Sequence, residues 1–200
     1  MLGALSVLVL ILFPMVTLAM QSPFVTTQQS RHGDLSAFTK WTGVIARYNS
    51  ERGKCKDETC PQAKIDAFIQ EQRNKPISEQ VRAVNSFFNA VTYVEDSANY
   101  GMDDYWATPN QFMERGGDCE DYSIAKYMTL KRLGVPESMM RIVILQDNNL
   151  GGIMHAVLET RIGKQRFLLD NQAKEVTDEA SIYHYRPIYA LNSSAWWAYQ

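Results

Sequence analysis

The chain has 200 residues, of which 46% are hydrophobic and 21% are charged, and its formal net charge is −2. This composition is typical of a globular protein with an apolar core, and no repeat, low-complexity run or linker divides residues 21–200, so we interpret them as one domain. The Lys and Arg residues are scattered along the chain, which argues against a nucleic-acid partner.

The first 20 residues, MLGALSVLVLILFPMVTLAM, carry no charged side chain. The apolar run from Leu5 to Phe13, the interrupting Pro14 and the small residues up to Ala19 predict a secretory signal peptide cleaved near Ala19. Only the amino terminus is positively charged, so an uncleaved membrane anchor is the alternative, and a buried core helix is a weaker one. No later segment is apolar for long enough to span a bilayer, and we therefore expect a soluble, exported mature protein.

Three helices are predicted in the first half of the chain. The first follows Asp34 as its N-cap, the second begins at Cys60-Pro61, and the third is capped by Ser78. Their apolar residues recur at three- and four-residue steps, which is typical of a face packed in a core. The next segment, EDSANYGMDDYWATPNQF, is rich in Asn, Asp and Gly and is predicted to be a loop.

The second half begins with a fourth helix and continues with strands. The helix is predicted to start near Cys119 and to stop at Gly134, before Pro136. Helices followed by antiparallel strands predict an α+β fold. The predicted strands are Arg141–Gln146, Ile153–Ile162, Gln165–Asp170 and, as a candidate fourth, Pro187–Leu191.

The three cysteines fall into a pair and a single residue. Cys55 and Cys60 lie in KCKDETC, a spacing that suits a small-loop disulfide in an exported protein, although two free thiols are equally compatible with it. A metal knuckle is not expected there, because no second Cys or His pair lies nearby. Cys119 is left over, and an unpaired thiol in an oxidising compartment needs a reason to be present.

His155 and Asp170 suggest such a reason. His155 lies within the second strand, Asp170 ends the third, and the turn at Gly163-Lys164 should bring the two residues almost level. A carboxylate beside an imidazole fixes the tautomer and orientation of the ring. With Cys119 at a helix start packed against this sheet face, the three residues would form a nucleophile, a base and an orienting group.

The start of a helix favours a thiolate, because it supplies partial positive charge and free N–H groups. The Cys119 N–H could also bind an oxyanion. The alternatives are that His155 and Asp170 have structural roles only, or that the three residues are zinc ligands.

Acidic residues surround the thiol. Asp118 and Glu120 flank Cys119, and carboxylates this close raise the pKa of a thiol by repulsion. A bound hard cation would remove that penalty, and calcium prefers carboxylate and carbonyl oxygens. We therefore expect Asp118 and Glu120 to hold a calcium ion, and the alternative is a solvated acidic helix start, since Asp and Glu favour first helical turns. The preceding loop could supply further ligands from Asn99, Asp103 and Asp104. For Asp121 the favoured interpretation is a solvated acid in the first helical turn.

Five segments carry a family resemblance: DYWATP (Asp104–Pro109), GGDCEDYSIAKY (Gly116–Tyr127), LGVP (Leu133–Pro136), HAVLE (His155–Glu159) and LLDN (Leu168–Asn171). They resemble the bacterial transglutaminase-like cysteine proteinases, specifically the LapG-type periplasmic adhesin proteases. The resemblance covers roughly residues 78–190, together with the exported N-terminus, and the GGDCEDYS block is its most specific part.

The resemblance implies a papain-like fold and a catalytic triad of Cys119, His155 and Asp170. It also implies calcium dependence, with Asp118 and Glu120 among the ligands. Enzymes of this type cut the N-terminal region of a large surface adhesin at an Ala-Ala bond, which disperses biofilm. The periplasmic domain of an inner-membrane cyclic-di-GMP receptor inhibits them. We therefore expect a calcium-dependent cysteine endopeptidase of the periplasm.

Two other functions stay open. Peptidoglycan amidases, transglutaminases and arylamine acetyltransferases also use a Cys-His-Asp set, so a cell-wall amidase is the alternative enzyme. A non-catalytic calcium-binding interaction module is the alternative of another class. Two aromatic pairs, Tyr105-Trp106 and Trp196-Trp197, are candidates for docking on a receptor. Trp106 could also stabilise an oxyanion, although core packing is the favoured interpretation.

Overall fold

A computed structural model describes residues 21–55 and 57–200, so the predicted signal peptide lies outside the described residues. The helices are α1 (Pro23–Thr26), α2 (Thr39–Glu51), α3 (Pro61–Gln72), α4 (Ile77–Asn89), α5 (Asp96–Asn99), α6 (Pro109–Arg115) and α7 (Cys119–Arg132). The strands are β1 (Gln29–His32), β2 (Met140–Asp147), β3 (Ile153–Ile162), β4 (Gln165–Leu169), β5 (Thr177–Asp178), β6 (Tyr185–Leu191) and β7 (Trp196–Tyr199). Within the described ranges, none of these helices combines the length and the apolar character needed to span a bilayer.

The strands form one seven-stranded sheet in the order β1-β7-β6-β2-β3-β4-β5, and every neighbouring pair is antiparallel. This confirms the predicted α+β class, and the four predicted strands correspond to β2, β3, β4 and β6. Strands β1, β5 and β7 were not predicted. Strand β5 has only two residues. Strands β1 and β7 have four each and pair with one another from opposite ends of the described chain, as in Gln29↔Tyr199. A segment that short gives little periodic signal of its own.

Helix α7 lies at the centre of the molecule. It packs on β3 and β2 on one side and on α4, α6 and α3 on the others. As a result, every residue from 121 to 130 is buried, including the charged Asp121 and Lys126. A helix enclosed on all sides shows no polar stripe, and it ends where predicted, with Gly134 in a left-handed conformation (φ 95°).

Three helix predictions differ from the structure. Helix α4 begins at Ile77 with Pro76 as its N-cap, so Ser78 lies inside the helix and does not cap it. Helix α2 begins at Thr39 rather than after Asp34, because the Asp34 carboxylate accepts the Ser36 N–H (2.9 Å) and closes a local turn instead. The segment predicted to be a loop, residues 95–112, contains α5 and the start of α6, whose N-cap Thr108 forms a reciprocal capping box with Gln111. Cys55 and Cys60, whose pairing the sequence left open, form a disulfide with a Cα separation of 6.4 Å.

Candidate active site

Cys119 is the first residue of α7, and Asp118 is the N-cap. Strand β4 pairs with β3 only as far as Leu158↔Leu169, so residues 153–157 at the start of β3 are not paired with β4 in this register. Burial raises the pKa of the Cys119 thiol, and the backbone N–H of Ala156, in that region of β3, is near enough to the sulfur to act in the opposite direction. The sulfur therefore lies beside the backbone of the residue that follows His155.

His155 and Asp170 form a buried pair. His155 Nε2 lies 2.9 Å from Asp170 Oδ1, and both side chains are almost fully buried. Asp170 directly follows β4, and the register, continued by one residue past its last pair Leu158↔Leu169, would put Asp170 opposite Val157 rather than His155. The two residues are therefore less level than expected, and the carboxylate reaches back along β3 to the imidazole.

Asp170 is held by two further donors. Its Oδ1 also accepts the Gln172 N–H at 2.9 Å, and its Oδ2 accepts the Tyr185 hydroxyl at 2.5 Å. Burial alone would raise the pKa of Asp170, but the hydrogen bonds from His155, Tyr185 and Gln172, together with the charge of His155, lower it below its ordinary value. Asp170 is therefore an anion at neutral pH. Tyr185, from β6, was not foreseen as part of the site.

The thiol environment agrees with the electrostatic argument from sequence. Burial is the main cause that raises the pKa of Cys119, and the charges of Glu120 and Asp118 raise it further. The thiol lies 3.3 Å from Glu120 Oε2 and donates to that carboxylate. In the protein chain alone, Cys119 is therefore a neutral thiol.

The acidic residues converge on this end of α7. Ligand atoms of Asp96, Asp118 and Asp121 lie within 4.8 Å of one another, and so do those of Asp96, Asp104 and Glu120. We call these five residues the acidic cluster. Asp118, Glu120 and Asp104 were predicted metal ligands. Asn99, the fourth, uses its side-chain amide to donate to the Gly116 carbonyl at 3.2 Å.

The interpretation of Asp121 as a solvated acid is wrong. Its side chain is fully buried, because the segment ahead of α6 covers the first turn of α7, where the Ala107 N–H donates to Asp121 Oδ1 at 2.7 Å. Burial raises the pKa of Asp121 to about 8. Gly117 makes room for this carboxylate, since a Cβ there would lie 2.1 Å from Asp121 Oδ2. Asp96 was not predicted as a ligand either, because the sequence contains no signal that distinguishes it from the other acidic residues of its loop.

Three carboxylate oxygens of the acidic cluster fit a cation. Asp96 Oδ1, Asp118 Oδ1 and Asp121 Oδ2 are buried without a hydrogen-bond partner among the described residues. A buried carboxylate is costly unless it is paired, protonated or bound to a metal. An all-oxygen set of this kind suits a hard cation such as Ca²⁺.

The aromatic pairs are largely parts of the fold. Trp106 is 7% exposed and packs edge-on against Trp41, as the core interpretation predicted. Trp196 stacks on His32, and Trp197 lies beneath Arg31 and Arg141.

Comparison with known proteins identifies the family of this chain. Residues 46–199 match the family described as bacterial transglutaminase-like cysteine proteinase BTLCP. The chain belongs to this family. The predicted family and the transglutaminase-like fold class are thereby confirmed, and the chain is a cysteine protease by family, with a protein substrate as its class of partner.

Solved structures agree with the family assignment. Calcium-bound LapG from Legionella pneumophila is 28% identical, with a TM-score of 0.64 over 78% of this chain and 86% of that one. The EGTA-treated form of the same protein is 29% identical, with a TM-score of 0.63 over 78% of this chain and 84% of that one. No curated protein sequence matches the chain. The triad and the metal ligands of this family member stay predictions.

Proposed function

We propose that the protein is a calcium-dependent cysteine endopeptidase of the periplasm, which cleaves the N-terminal region of a large surface adhesin and so controls biofilm attachment. The observation that carries the proposal is the placement of the Cys119 sulfur at the backbone next to His155, whose ring is held by Asp170. Membership of the cysteine proteinase family supports the reaction class.

The contacts assign a role to each residue. Because His155 Nε2 is engaged by Asp170, Nδ1 is the nitrogen that takes the Cys119 proton. The thiolate attacks the scissile carbonyl, and the Cys119 N–H at the start of α7 donates to the oxyanion. The imidazolium then protonates the leaving amine. Water, deprotonated by His155, hydrolyses the thioester and restores the thiol.

Calcium is part of the proposal. The five residues of the acidic cluster would hold the ion, which agrees with the three unpartnered carboxylate oxygens. When bound, the ion supplies positive charge that offsets the carboxylates and so lowers the pKa of the neighbouring thiol. LapG of Legionella pneumophila was solved with calcium bound, which supports the same ion here.

The remaining elements of the proposal come from the family resemblance. They are export by a cleaved signal peptide at residues 1–20 and inhibition by the periplasmic domain of a cyclic-di-GMP receptor in the inner membrane.

A cleavage assay tests the proposal. The protein is mixed with the N-terminal fragment of a large adhesin from the same organism, in calcium, in excess EGTA, and as Cys119→Ala in calcium. We expect cleavage only in the first lane. Cleavage by Cys119→Ala would overturn the mechanism, and cleavage in EGTA would overturn the role of the acidic cluster. If no lane shows cleavage, the rate of Cys119 alkylation after calcium addition decides, since an activated thiolate reacts much faster than a free model thiol.

A further inference from the structure

Exposed apolar side chains collect in the segments that border Cys119 and His155. Among the described residues, Tyr93, Ile153 and Met154 are 52%, 52% and 54% exposed, and Leu150 in the adjoining turn is 50% exposed. Single exposed apolar side chains are ordinary. Several of them beside a nucleophile mark a surface that a ligand covers.

Tyr93 borders the nucleophile from the segment after α4. It forms an isolated parallel bridge with Gly117, two residues before Cys119, and the Val94 N–H donates to the Gly117 carbonyl at 3.0 Å. Burial raises the pKa of Tyr93 to about 12, and the charge of Cys119 is the next cause, which agrees with their proximity. Tyr93 is thus a neutral aromatic side chain that reaches solvent beside the sulfur.

Met154 borders the nucleophile from the sheet. It lies directly before His155 in β3 and two residues before Ala156, whose backbone N–H is near the Cys119 sulfur. Met154 therefore belongs to the strand segment next to the sulfur, whereas Tyr93 belongs to the segment that pairs with Gly117. Methionine is flexible and adapts to different apolar partners.

We propose that Tyr93 and Met154 are specificity-determining residues, which contact apolar side chains beside the scissile bond of an extended substrate segment. This inference rests on the proposed function and deepens it by naming the substrate class. The occupant follows from position, because a peptide bound at the Cys119 sulfur lies next to the segments that carry these two side chains. A charged residue in the substrate would lose hydration there and gain no partner.

Two fluorogenic peptides test the inference. Both contain the same Ala-Ala core, and the residues on either side of that core are Leu in one peptide and Glu in the other. With calcium-loaded protein we expect kcat/KM to favour the Leu peptide by about tenfold or more. Met154→Gln and Tyr93→Ser should each reduce this preference to about twofold or threefold. Tyr93→Phe should keep it, and so should Val25→Gln, which changes an exposed apolar residue of α1.

The outcomes separate the inference from the function on which it rests. An unchanged preference in Met154→Gln and Tyr93→Ser would overturn the inference. If Tyr93→Phe lost as much as Tyr93→Ser, the hydroxyl and not the apolar surface would be responsible, which also overturns it. If the wild-type protein cut the adhesin fragment but neither peptide, only the inference would fail. If it cut none of the three and calcium did not accelerate the alkylation of Cys119, the proposed function would fail as well.

Discussion

Two polar clusters meet at Cys119, and they differ in how the hydrogen bonds of their buried atoms are completed. In the first, both oxygens of Asp170 have partners, supplied by His155, Gln172 and Tyr185. In the acidic cluster, Asp96, Asp118 and Asp121 each keep a buried oxygen with no partner among the described residues. Buried polar atoms normally find partners.

This difference indicates which part of the site the chain completes by itself. The His155–Asp170–Tyr185 cluster is preorganised, because each donor and acceptor comes from a strand or from the residues directly after one. The acidic cluster keeps unpartnered oxygens among the described residues, and the proposed cation would complete it. Such an arrangement would allow the base to be ready at all times while the nucleophile depends on the ion.

The largest expected effect comes from the complete cluster. Asp170→Asn removes the charge that orients His155 and stabilises its imidazolium, so we expect kcat to fall about 10³- to 10⁴-fold. Calcium binding, measured by isothermal titration, should be unchanged, since Asp170 is no member of the acidic cluster. Loss of calcium affinity in this variant would show that the two clusters are not independent.

A smaller effect is expected when the acidic cluster is crowded. Gly117→Ala places a Cβ 2.1 Å from Asp121 Oδ2, so that carboxylate must move. We expect calcium affinity to fall about 10- to 100-fold. The matched control is Gly33→Ala, whose Cβ would meet no atom within 4 Å. Equal affinity in the two variants would remove Asp121 from the set of ligands.

Tyr185→Phe should have a still smaller effect. It removes one hydrogen bond to Asp170 and leaves the ring. We expect kcat to fall about tenfold, because that factor matches the free energy of one hydrogen bond to a charged group. KM should be unchanged. Loss of that bond also raises the pKa of Asp170, and the acid limb of the kcat profile should move to higher pH. The exposed neighbour Tyr183, changed to Phe, is the control, and matching profiles would contradict the role of Tyr185.

The smallest effect is a difference in how stability depends on pH. Burial raises the pKa of Asp121 to about 8 in the folded chain, against an ordinary value of 3.8 for an aspartate. The folded state therefore binds the extra proton, and stability of the calcium-free protein should fall as pH rises from about 4 to about 8. Asp170 has a lowered pKa, so its contribution is present above pH 3.8 and lost on further acidification.

Thermal unfolding at pH 5 and pH 8 checks this sign. For calcium-free protein we expect the unfolding midpoint to be a few degrees lower at pH 8. A shift of that size corresponds to a loss of about 1 kcal/mol in the free energy of unfolding for a domain of this size. Asp121→Asn should flatten the dependence, and calcium should reverse it. A calcium-free protein that is more stable at pH 8 than at pH 5 would contradict the account of the acidic cluster.

The sequence predicted those parts of the site that depend on local signals. The start of α7 near Cys119, the full extent of β3 and the hairpin at Gly163-Lys164 all follow from turn residues and periodicity. These elements were enough to place His155 near Asp170. The residues Asp118 and Glu120 were singled out because they adjoin the thiol in the chain.

The rest depended on contacts between distant segments. Tyr185 reaches Asp170 from β6, which pairs with β2 rather than with β3 or β4, and that sheet order has no local signature. Asp121 resembled an ordinary acid in a first helical turn, and only the covering segment at Ala107 makes it buried. A burial decided by a remote segment cannot be derived from helix position alone.

The enclosure of α7 has a consequence for how sequence change is tolerated. A helix with one exposed side accepts substitutions every third or fourth residue, whereas residues 121–130 are buried without interruption. A saturation scan of this segment should therefore give a continuous block of intolerant positions and no helical period. Within that block even Lys126 has a buried ammonium with no hydrogen-bond partner among the described residues. Homologues of this protein should accordingly diverge on α2, α3 and the surface hairpins long before they diverge along the central helix.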